Sequence, residues 1–195
     1  MGIREDRRAQ MQRDIRGAAL DLVEERGLGA TTIGHIAERV GISERTVFRY
    51  YASKEHALMP GQGELVTALV GGEFATGNPF GILASLLGTC REQFAVEVEC
   101  SDFRRISRLL VKEPDLMRFV ASEERGLVEA LGEVLAGRGE LTPIRAMLVA
   151  ELVTTAWRVA WQSFARDEFE GIESNPMELF DETVRELGEL IPLAR

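Results

Sequence analysis

The clearest pattern of apolar and polar positions lies between residues 31 and 55, which read TTIGHIAERVGISERTVFRYYASKE. Four apolar residues recur there at helical spacing and predict a short helix with one apolar face: Ile33, Ile36, Ala37 and Val40. Gly41 follows at a point where the chain must turn, and a positive φ is expected for it. Residues 44–50 predict a second helix that needs little beyond Val47 for the core. Its other face is left free for a partner.

Residues suited to capping stand before both helices, namely Thr32 and Ser43. The spacing of three residues is that of two helices that cross over a short turn. They are the small Ala37, a glycine four residues later and the apolar Val47 six residues after that. The segment is therefore predicted to be a helix-turn-helix whose second helix meets DNA. A helical hairpin that merely packs a core is the alternative.

Helical periodicity continues through the rest of the chain and is broken mainly by glycine and proline. Residues 1–6 are expected to form a tail, residues 7–26 the first helix, and about 53–70 a linking helix interrupted near Pro60. Further helices are expected from Pro79 and over about 101–112, 114–136, 143–169 and 176–190. No strand pattern or repeat is visible. The predicted fold class is all-α, with a three-helix DNA-binding domain over residues 1–58 and a larger helical domain over residues 73–195.

The net charge of -9 and the pI near 4.9 look unsuited to a DNA-binding protein. The charge is unevenly distributed, however. Residues 1–54 hold ten Lys and Arg against eight Asp and Glu, whereas the remainder holds 13 against 24. Because local positive charge is what meets phosphates, the overall balance does not argue against a DNA-binding N-terminal part.

The N-terminal segment resembles the TetR family of bacterial transcriptional repressors. The resemblance is carried by IAERVGIS at residues 36–43, TVFRYYASKE at residues 46–55 and one preceding helix that ends in glycine. It implies a homodimer that places one recognition helix per subunit in successive major grooves of a pseudo-palindromic, double-stranded DNA operator. It also implies a C-terminal part that binds a small-molecule effector, here unknown, and forms the dimer.

The resemblance assigns roles position by position within the helix-turn-helix. Contacts to bases and phosphates are expected from Ser43, Glu44, Arg45, Thr46, Phe48, Arg49 and Tyr50, and a clamp on the DNA backbone from Thr31 or Thr32 together with Lys54. Arg45 is the best candidate base reader, because its guanidinium group fits guanine O6 and N7. Glu44 either accepts from cytosine N4 or repels phosphates. Two departures matter: Phe48 replaces a common tyrosine, and Ala52 replaces a frequent proline.

The C-terminal helices are expected to contain the dimer interface. Helix 143–169 is apolar around much of its circumference, and an apolar stripe follows the last helix. Candidate interface residues are Met147, Leu148, Leu152, Ala156, Leu179, Phe180, Val184 and Leu187. A helix buried in the core of one subunit would show the same pattern.

Candidate residues for an effector pocket are the large or polarisable side chains of the same part: Cys90, Phe94, Phe103, Met117, Val120, Trp157 and Trp161. Each of them fits an ordinary core equally well. Basic residues between Arg104 and Arg118 could favour an anionic ligand, but acidic neighbours such as Glu97 and Glu99 suggest a solvated surface network instead.

An enzyme is the rival class of function, and the sequence argues against it. Both histidines, His35 and His56, lie in the DNA-binding part, so the larger part has none for a catalytic triad or a metal site. No phosphate-binding glycine loop is present, and neither a cofactor nor a metal is expected. A DNA-binding dimer without an effector remains open.

The chain has no apolar run long enough to cross a membrane and no signal-peptide pattern. Two unpaired cysteines, Cys90 and Cys100, fit a reducing compartment. The expected location is the bacterial cytoplasm, in association with the nucleoid.

Overall fold

The computed structural model describes residues 3–59, 61–72 and 77–190 and contains only helices within those ranges. They are α1 (Ile3–Arg26), α2 (Ile33–Val40), α3 (Glu44–Tyr50), α4 (Lys54–Leu58), α5 (Gly61–Gly71), α6 (Pro79–Val98), α7 (Phe103–Lys112), α8 (Pro114–Gly137), α9 (Pro143–Glu170) and α10 (Pro176–Leu190). The prediction of an all-α fold with an N-terminal helix-turn-helix and a larger C-terminal helical part is confirmed.

The helix-turn-helix is formed by α2 and α3, and it packs on α1. Thr32 caps α2 by accepting the backbone N–H of His35 at its hydroxyl. Gly41 ends α2 in the left-handed region, with φ of 77°, as the sequence predicts, so a residue with a Cβ would be strained there. Ser43 caps α3 by accepting the N–H of Thr46. Side chains that cap both helices therefore fix the turn between them.

The linking helix predicted over about 53–70 is divided into α4 and α5. Ser53 caps α4 at its hydroxyl, and α4 ends at Leu58 after little more than one turn. Pro60 lies outside the described residues. The break is consistent with a proline that offers no backbone N–H to continue a helix. A short α4 packed on α1 therefore joins the two parts of the chain.

Helix α9 runs through the centre of the C-terminal part and packs against α6, α7, α8 and α10. Its inward positions hold small residues and aromatic residues in alternation, so neighbouring helices approach closely while the rings fill the space between them. The ring of Phe94 on α6 is fully buried and lies 5.3 Å from the ring of Trp157 and 5.3 Å from that of Phe180. This aromatic cluster is the core of the larger part.

The N-terminus differs from the prediction. Helix α1 begins at Ile3 rather than near residue 7, so most of the expected tail is helical, and Met1 and Gly2 lie outside the described residues. Asp6, Arg7 and Arg8 of α1 are charged and exposed, so no apolar pattern marks this part of the helix. The other predicted helices agree with the structure to within about two residues at their ends.

Candidate nucleic-acid interface and effector cavity

The outer face of α3 is exposed while its inner face is anchored. Val47 is fully buried, whereas Glu44, Arg45, Phe48 and Arg49 lie on the surface. The exposed fraction of Phe48 is 54%, which is high for an aromatic side chain in a small helical unit. One rigid helix thus presents two guanidinium groups and an aromatic ring to the outside.

Local contacts hold two pairs of side chains at this helix. The hydroxyls of Ser43 and Thr46 lie 2.9 Å apart and form a hydrogen bond with each other. The guanidinium carbon of Arg49 lies 5.3 Å from the ring centroid of Tyr50, a cation–π arrangement that orients the arginine. These contacts restrain Thr46 and Arg49 within the protein itself.

Glu44 turns toward α2 rather than away from it. A Cβ added to Gly34 would lie 3.0 Å from Oε1 of Glu44, so the carboxylate sits against the backbone near the start of α2. Carboxylates are favoured near helix N-termini, where backbone N–H groups point outward. This position gives Glu44 a structural partner within the protein.

The two threonines proposed as alternatives for a backbone contact differ in exposure. Thr31 is buried, and its hydroxyl donates to the carbonyl oxygen of Gly27 at 2.9 Å. Thr32 is exposed at the N-terminus of α2. Of this pair, only Thr32 can offer its side chain to DNA.

Lys54, the other predicted clamp residue, binds the protein itself. Its Nζ donates to the carbonyl oxygens of Leu28, at 2.6 Å, and Thr31, at 2.8 Å. Two of the three ammonium protons are thereby used to hold the start of α4 against the connection between α1 and α2. One donor remains for a phosphate.

The residues predicted to line an effector pocket mostly form the core. Phe103 and Trp161 have ring centroids 5.0 Å apart, and both belong to the cluster around Phe94. Cys90 is fully buried, and burial raises the pKa of its thiol to about 12. Met117 and Val120 line a small cavity of about 30 Å³ beside Trp157 and Trp161. Four residues of the predicted set therefore line this small cavity, and the set remains a prediction.

A larger cavity of about 230 Å³ lies where the two parts of the chain meet. It is lined from the DNA-binding part by Ala9, Gln12, Arg13, Arg16, Tyr51, Leu58 and Met59, and from the C-terminal part by Glu64, Val96, Glu97, Cys100, Phe103, Ile106 and Trp161. Only Phe103 and Trp161 of these were among the predicted pocket residues.

Glu97 is the residue of this cavity that sequence reasoning misplaced, because it was grouped with a solvated surface network. Its side chain is half-buried and faces the cavity. Burial and then repulsion by Glu64 raise the pKa of its carboxyl to about 8, while Arg16 lowers it by less. The signal was present in the sequence, since Glu97 follows the buried Phe94 by three residues and therefore shares its helical face.

Ion pairs join α7 to α1 next to this cavity. Arg105 donates to Asp21 at 2.6 Å and to Glu24 at 2.7 Å, and Nε of Arg16 lies 3.2 Å from Asp102. Arg104 and Arg108 pair instead with Glu168 within the C-terminal part. The basic cluster is thus divided between a contact that links the two parts and one that does not.

The outer face of α9 and α10 remains apolar and exposed. Met147 and Leu148 have exposed fractions of 44% and 55%, and Leu152, Leu179, Val184 and Leu187 are half-buried. A groove of about 270 Å³ runs between the two helices. Of the other residues predicted for an interface, Ala156 lines this groove although it is almost fully buried, and Phe180 is buried within the protomer.

Comparison with known proteins identifies the helix-turn-helix. The family model for bacterial regulatory proteins of the tetR family matches residues 15–57, which span the second half of α1, all of α2 and α3, and most of α4. The helix-turn-helix segment of the chain therefore matches the tetR family of bacterial regulatory proteins.

Relatives of this chain match beyond the helix-turn-helix. A Mycobacterium tuberculosis protein, provisionally named as the mycofactocin biosynthesis transcriptional regulator MftR, is 25% identical over 177 residues, which is 83% of each chain. FadR of Bacillus subtilis, solved in complex with stearoyl-CoA, superposes with a TM-score of 0.55 at 16% identity, covering 89% of this chain and 96% of FadR. NalD, the secondary repressor of the MexAB-OprM multidrug efflux pump in Pseudomonas aeruginosa, gives 0.56 at 16% identity, covering 95% and 96%. At this identity the two structures establish the shared fold alone.

Within the described residues no group of three metal-binding side chains comes together. None of the helices described combines the length and the apolar character that a membrane span requires.

Proposed function

We propose that the protein is a ligand-responsive repressor that binds a pseudo-palindromic DNA operator as a homodimer. The observation that carries this proposal is the position of the 230 Å³ cavity, which is bounded by helices of both the DNA-binding part and the C-terminal part. A molecule bound there touches the elements that place the recognition helix.

The DNA contacts are proposed for the exposed face of α3 and for the N-terminus of α2. Arg45 reads a base in the major groove, and Arg49 and Thr32 contact phosphates. Ser43, Thr46, Phe48 and Tyr50 contribute at the edges of this face, and Lys54 holds α4 in place while offering its remaining proton to the DNA backbone. Glu44 supports α2 and disfavours phosphates that come too close.

The dimer is proposed to form through the exposed apolar face of α9 and α10. A continuous exposed apolar patch on a helical protein marks an interaction surface, and two copies of two helices give a four-helix interface. Met147, Leu148, Leu152, Leu179, Val184 and Leu187 line it. The two recognition helices must then be about 34–36 Å apart to enter successive major grooves.

Coupling between cavity and DNA is proposed to run through α4 and α1. Leu58 and Met59 at the end of α4 line the cavity, as does Arg16 of α1. His56 of α4 also contacts α8, because its ring lies 4.8 Å from that of Phe119 and its Nε2 lies 3.7 Å from Glu123. A ligand that shifts α4 therefore changes the separation of the recognition helices, and a small rotation suffices to lose the operator.

The proposal is tested by selecting genomic DNA fragments with the purified protein and footprinting the bound ones. We expect an inverted repeat whose half-site centres are about 10 base pairs apart, or a multiple of this spacing. Protection of a single half-site by a monomer, or the absence of any preferred sequence, would contradict it. A thermal-shift screen at the same time separates a sensor from a DNA-binding dimer without an effector, since a ligand of the folded protein raises its melting temperature.

A further inference from the structure

The cavity between the two parts of the chain contains an acidic group without a partner. The side chain of Glu97 makes no hydrogen bond and no ion pair with any residue that the structure describes, although the charge of Arg16 acts on its carboxyl from a distance. Nε of Arg16, a basic group of the same cavity, makes no hydrogen bond but lies 3.2 Å from Asp102, which pairs with its charge. The carboxyl of Glu97 therefore has no direct partner, and the second carboxyl of the cavity, that of Glu64, repels it.

From this arrangement we infer that the cavity binds a small organic cation whose ammonium group pairs with Glu97. The inference deepens the proposed function, since it names the chemical class of the effector, and it rests on that proposal for its regulatory meaning. An ammonium group at this position would satisfy the carboxyl and would also be attracted by Glu64, which lines the same cavity.

The aromatic walls favour a cation as well. Phe103 and Trp161 line the cavity together with Tyr51, and all three are less than one-tenth exposed. A positive charge near the faces of such rings is stabilised by their quadrupoles. The apolar residues Leu58 and Ile106 complete the wall and require that the rest of the ligand be hydrophobic.

Trp161 supplies a second, independent sign of a ligand. Its side chain is buried, it lines both this cavity and the neighbouring one of about 30 Å³, and its indole Nε1 has no hydrogen-bond partner among the described residues. Buried N–H groups in proteins are nearly always paired. A ligand with a hydroxyl, ether or carbonyl oxygen beyond its ammonium group would accept this hydrogen bond.

The size of the cavity limits the ligand. A volume of about 230 Å³ is below the roughly 300–1,000 Å³ of pockets for drug-sized molecules, so a single ring with a short amine chain fits better than a long acyl thioester. Arg13 is the group that argues for an anion. It lines the cavity, but it is exposed and donates to Gln10 at 2.6 Å, so solvent screens its charge.

The charged and titratable groups around Glu97 determine how the affinity of the cavity for a cation should depend on pH. They are Arg13 and Arg16 on α1, Tyr51 after α3, Glu64 on α5 and Cys100 after α6, whereas α7 and α9 present apolar and aromatic side chains. A cation needs the ionised carboxylate. Its affinity should therefore rise about tenfold for each pH unit up to about pH 8, where half of the Glu97 carboxyls are ionised, and then level off.

The test uses the full-length protein and pairs of ligands with the same skeleton and opposite charge. The pairs are benzylamine and phenylacetate, tyramine and 3-(4-hydroxyphenyl)propanoate, and cyclohexylmethylamine and cyclohexylacetate, with stearoyl-CoA as a long anionic comparator. Dissociation constants are measured by calorimetry at pH 6, 7 and 8. We expect amines to bind at least tenfold tighter than their matched acids at pH 8, and we expect this preference to shrink at pH 6. Equal or tighter binding of the acids, or of stearoyl-CoA, overturns the inference, and so does a failure of every amine to bind.

Two variants locate the effect at Glu97. Glu97→Gln keeps the size of the side chain and removes its charge, so the preference for amines should disappear and the pH dependence with it. Glu99→Gln, an exposed glutamate at the end of the same helix, serves as the matched control and should leave both unchanged. An unchanged amine preference in Glu97→Gln contradicts the inference, and thermal unfolding verifies that both variants are folded.

Operator binding is measured in parallel to separate the two proposals. If the protein selects no operator yet binds amines through Glu97, the proposed repressor function fails and the cation site stands. If an operator is found and amines do not bind, the cation site fails and the regulator stands. Amine binding that leaves operator affinity unchanged would retain the site and refute its regulatory role.

Discussion

Nη2 of Arg105 donates to Oδ1 of Asp21 over 2.6 Å, across 84 positions of sequence. The same nitrogen also donates to Glu24 on the next turn of α1, so one guanidinium group on α7 holds two carboxylates of the DNA-binding part. This clamp and the short α4 are separate connections between the two parts. A change of shape in the C-terminal part can therefore reach α1 without passing through α4.

Replacing Arg105 with alanine should alter regulation more than stability. The side chain is 27% exposed and its partners are more exposed, so the pairs contribute only about 0–1 kcal/mol to folding. Operator affinity, and its response to a cavity ligand, should change several-fold because α1 loses its tie to α7. Arg104→Ala is the control, since it removes an ion pair to Glu168 within the C-terminal part. Identical DNA-binding curves for the two variants would contradict a coupling role for the clamp.

Lys54→Met should destabilise the DNA-binding part. It removes two charge-assisted hydrogen bonds to carbonyl oxygens while retaining most of the apolar stem, and each such bond contributes about 1.5–3 kcal/mol. Urea unfolding measures the loss, and Lys112→Met, at an exposed lysine, should show little effect. The salt dependence of DNA binding decides whether the third proton meets a phosphate. If it does, the slope of log K against log salt should be smaller in magnitude by about one for Lys54→Met than for the wild-type protein.

Arg45 and Arg49 should differ in what their loss does to DNA recognition. Arg45→Ala should cost about 1–3 kcal/mol at one base position of each half-site and relax the preference there, whereas Arg49→Ala should weaken all sequences alike. Binding to operator variants with single substitutions, compared with nonspecific DNA, distinguishes the two. If both variants lose affinity uniformly, Arg45 does not read a base.

The free energy of unfolding should decrease as pH rises, because burial raises the pKa values of two carboxyls. Burial raises the pKa of Glu97 to about 8 and that of Glu124 to about 7, although Arg158 acts to lower the latter. An unfolded chain releases these protons near pH 4.5, so between that pH and about 8 the folded state binds more protons and the free energy of unfolding decreases. Denaturant unfolding from pH 5 to 8.5 measures this trend. Glu97→Gln and Glu124→Gln should each flatten it, and a wild-type curve that rises over this range would refute both assignments.

Leu148→Arg should disrupt the proposed dimer without unfolding the protomer. Leu148 is 55% exposed on the outer face of α9, so in an isolated protomer the arginine would point to water, but in a dimer it would bury an unpaired charge. Size-exclusion chromatography with light scattering should report a monomer, and affinity for a full operator should drop sharply. Val111→Arg, at an exposed apolar residue of α7, is the control. A dimer that survives Leu148→Arg would place the interface elsewhere.

The local features of the helix-turn-helix were predictable because each depends on a few neighbouring residues. The caps at Thr32 and Ser43 and the left-handed Gly41 follow from side-chain chemistry and backbone sterics within one turn. The start of α1 was not predictable in the same way, since its first turns carry no apolar pattern. The family resemblance supplied the roles that spacing alone left open.

The cavity could not be predicted, because it is made by residues distant in sequence. Tyr51, Glu97 and Trp161 meet only once the two parts have packed together. Phe180 shows a second limit, since an apolar residue on an amphipathic helix looks the same whether it faces its own core or another subunit, and here it faces the core. Periodicity indicates which residues are buried, but it does not distinguish the core of the same subunit from a contact with another subunit.

The difference in exposure between the two cysteines makes selective labelling of the cavity possible. Cys90 is sealed in the core as a poorly acidic thiol, whereas Cys100 is exposed and lines the cavity beside Glu97. Because the thiolate is the reactive form and needs access, a maleimide dye should attach to Cys100 alone without any engineered residue. The natural chain thus carries its own attachment point for an optical probe of cavity occupancy.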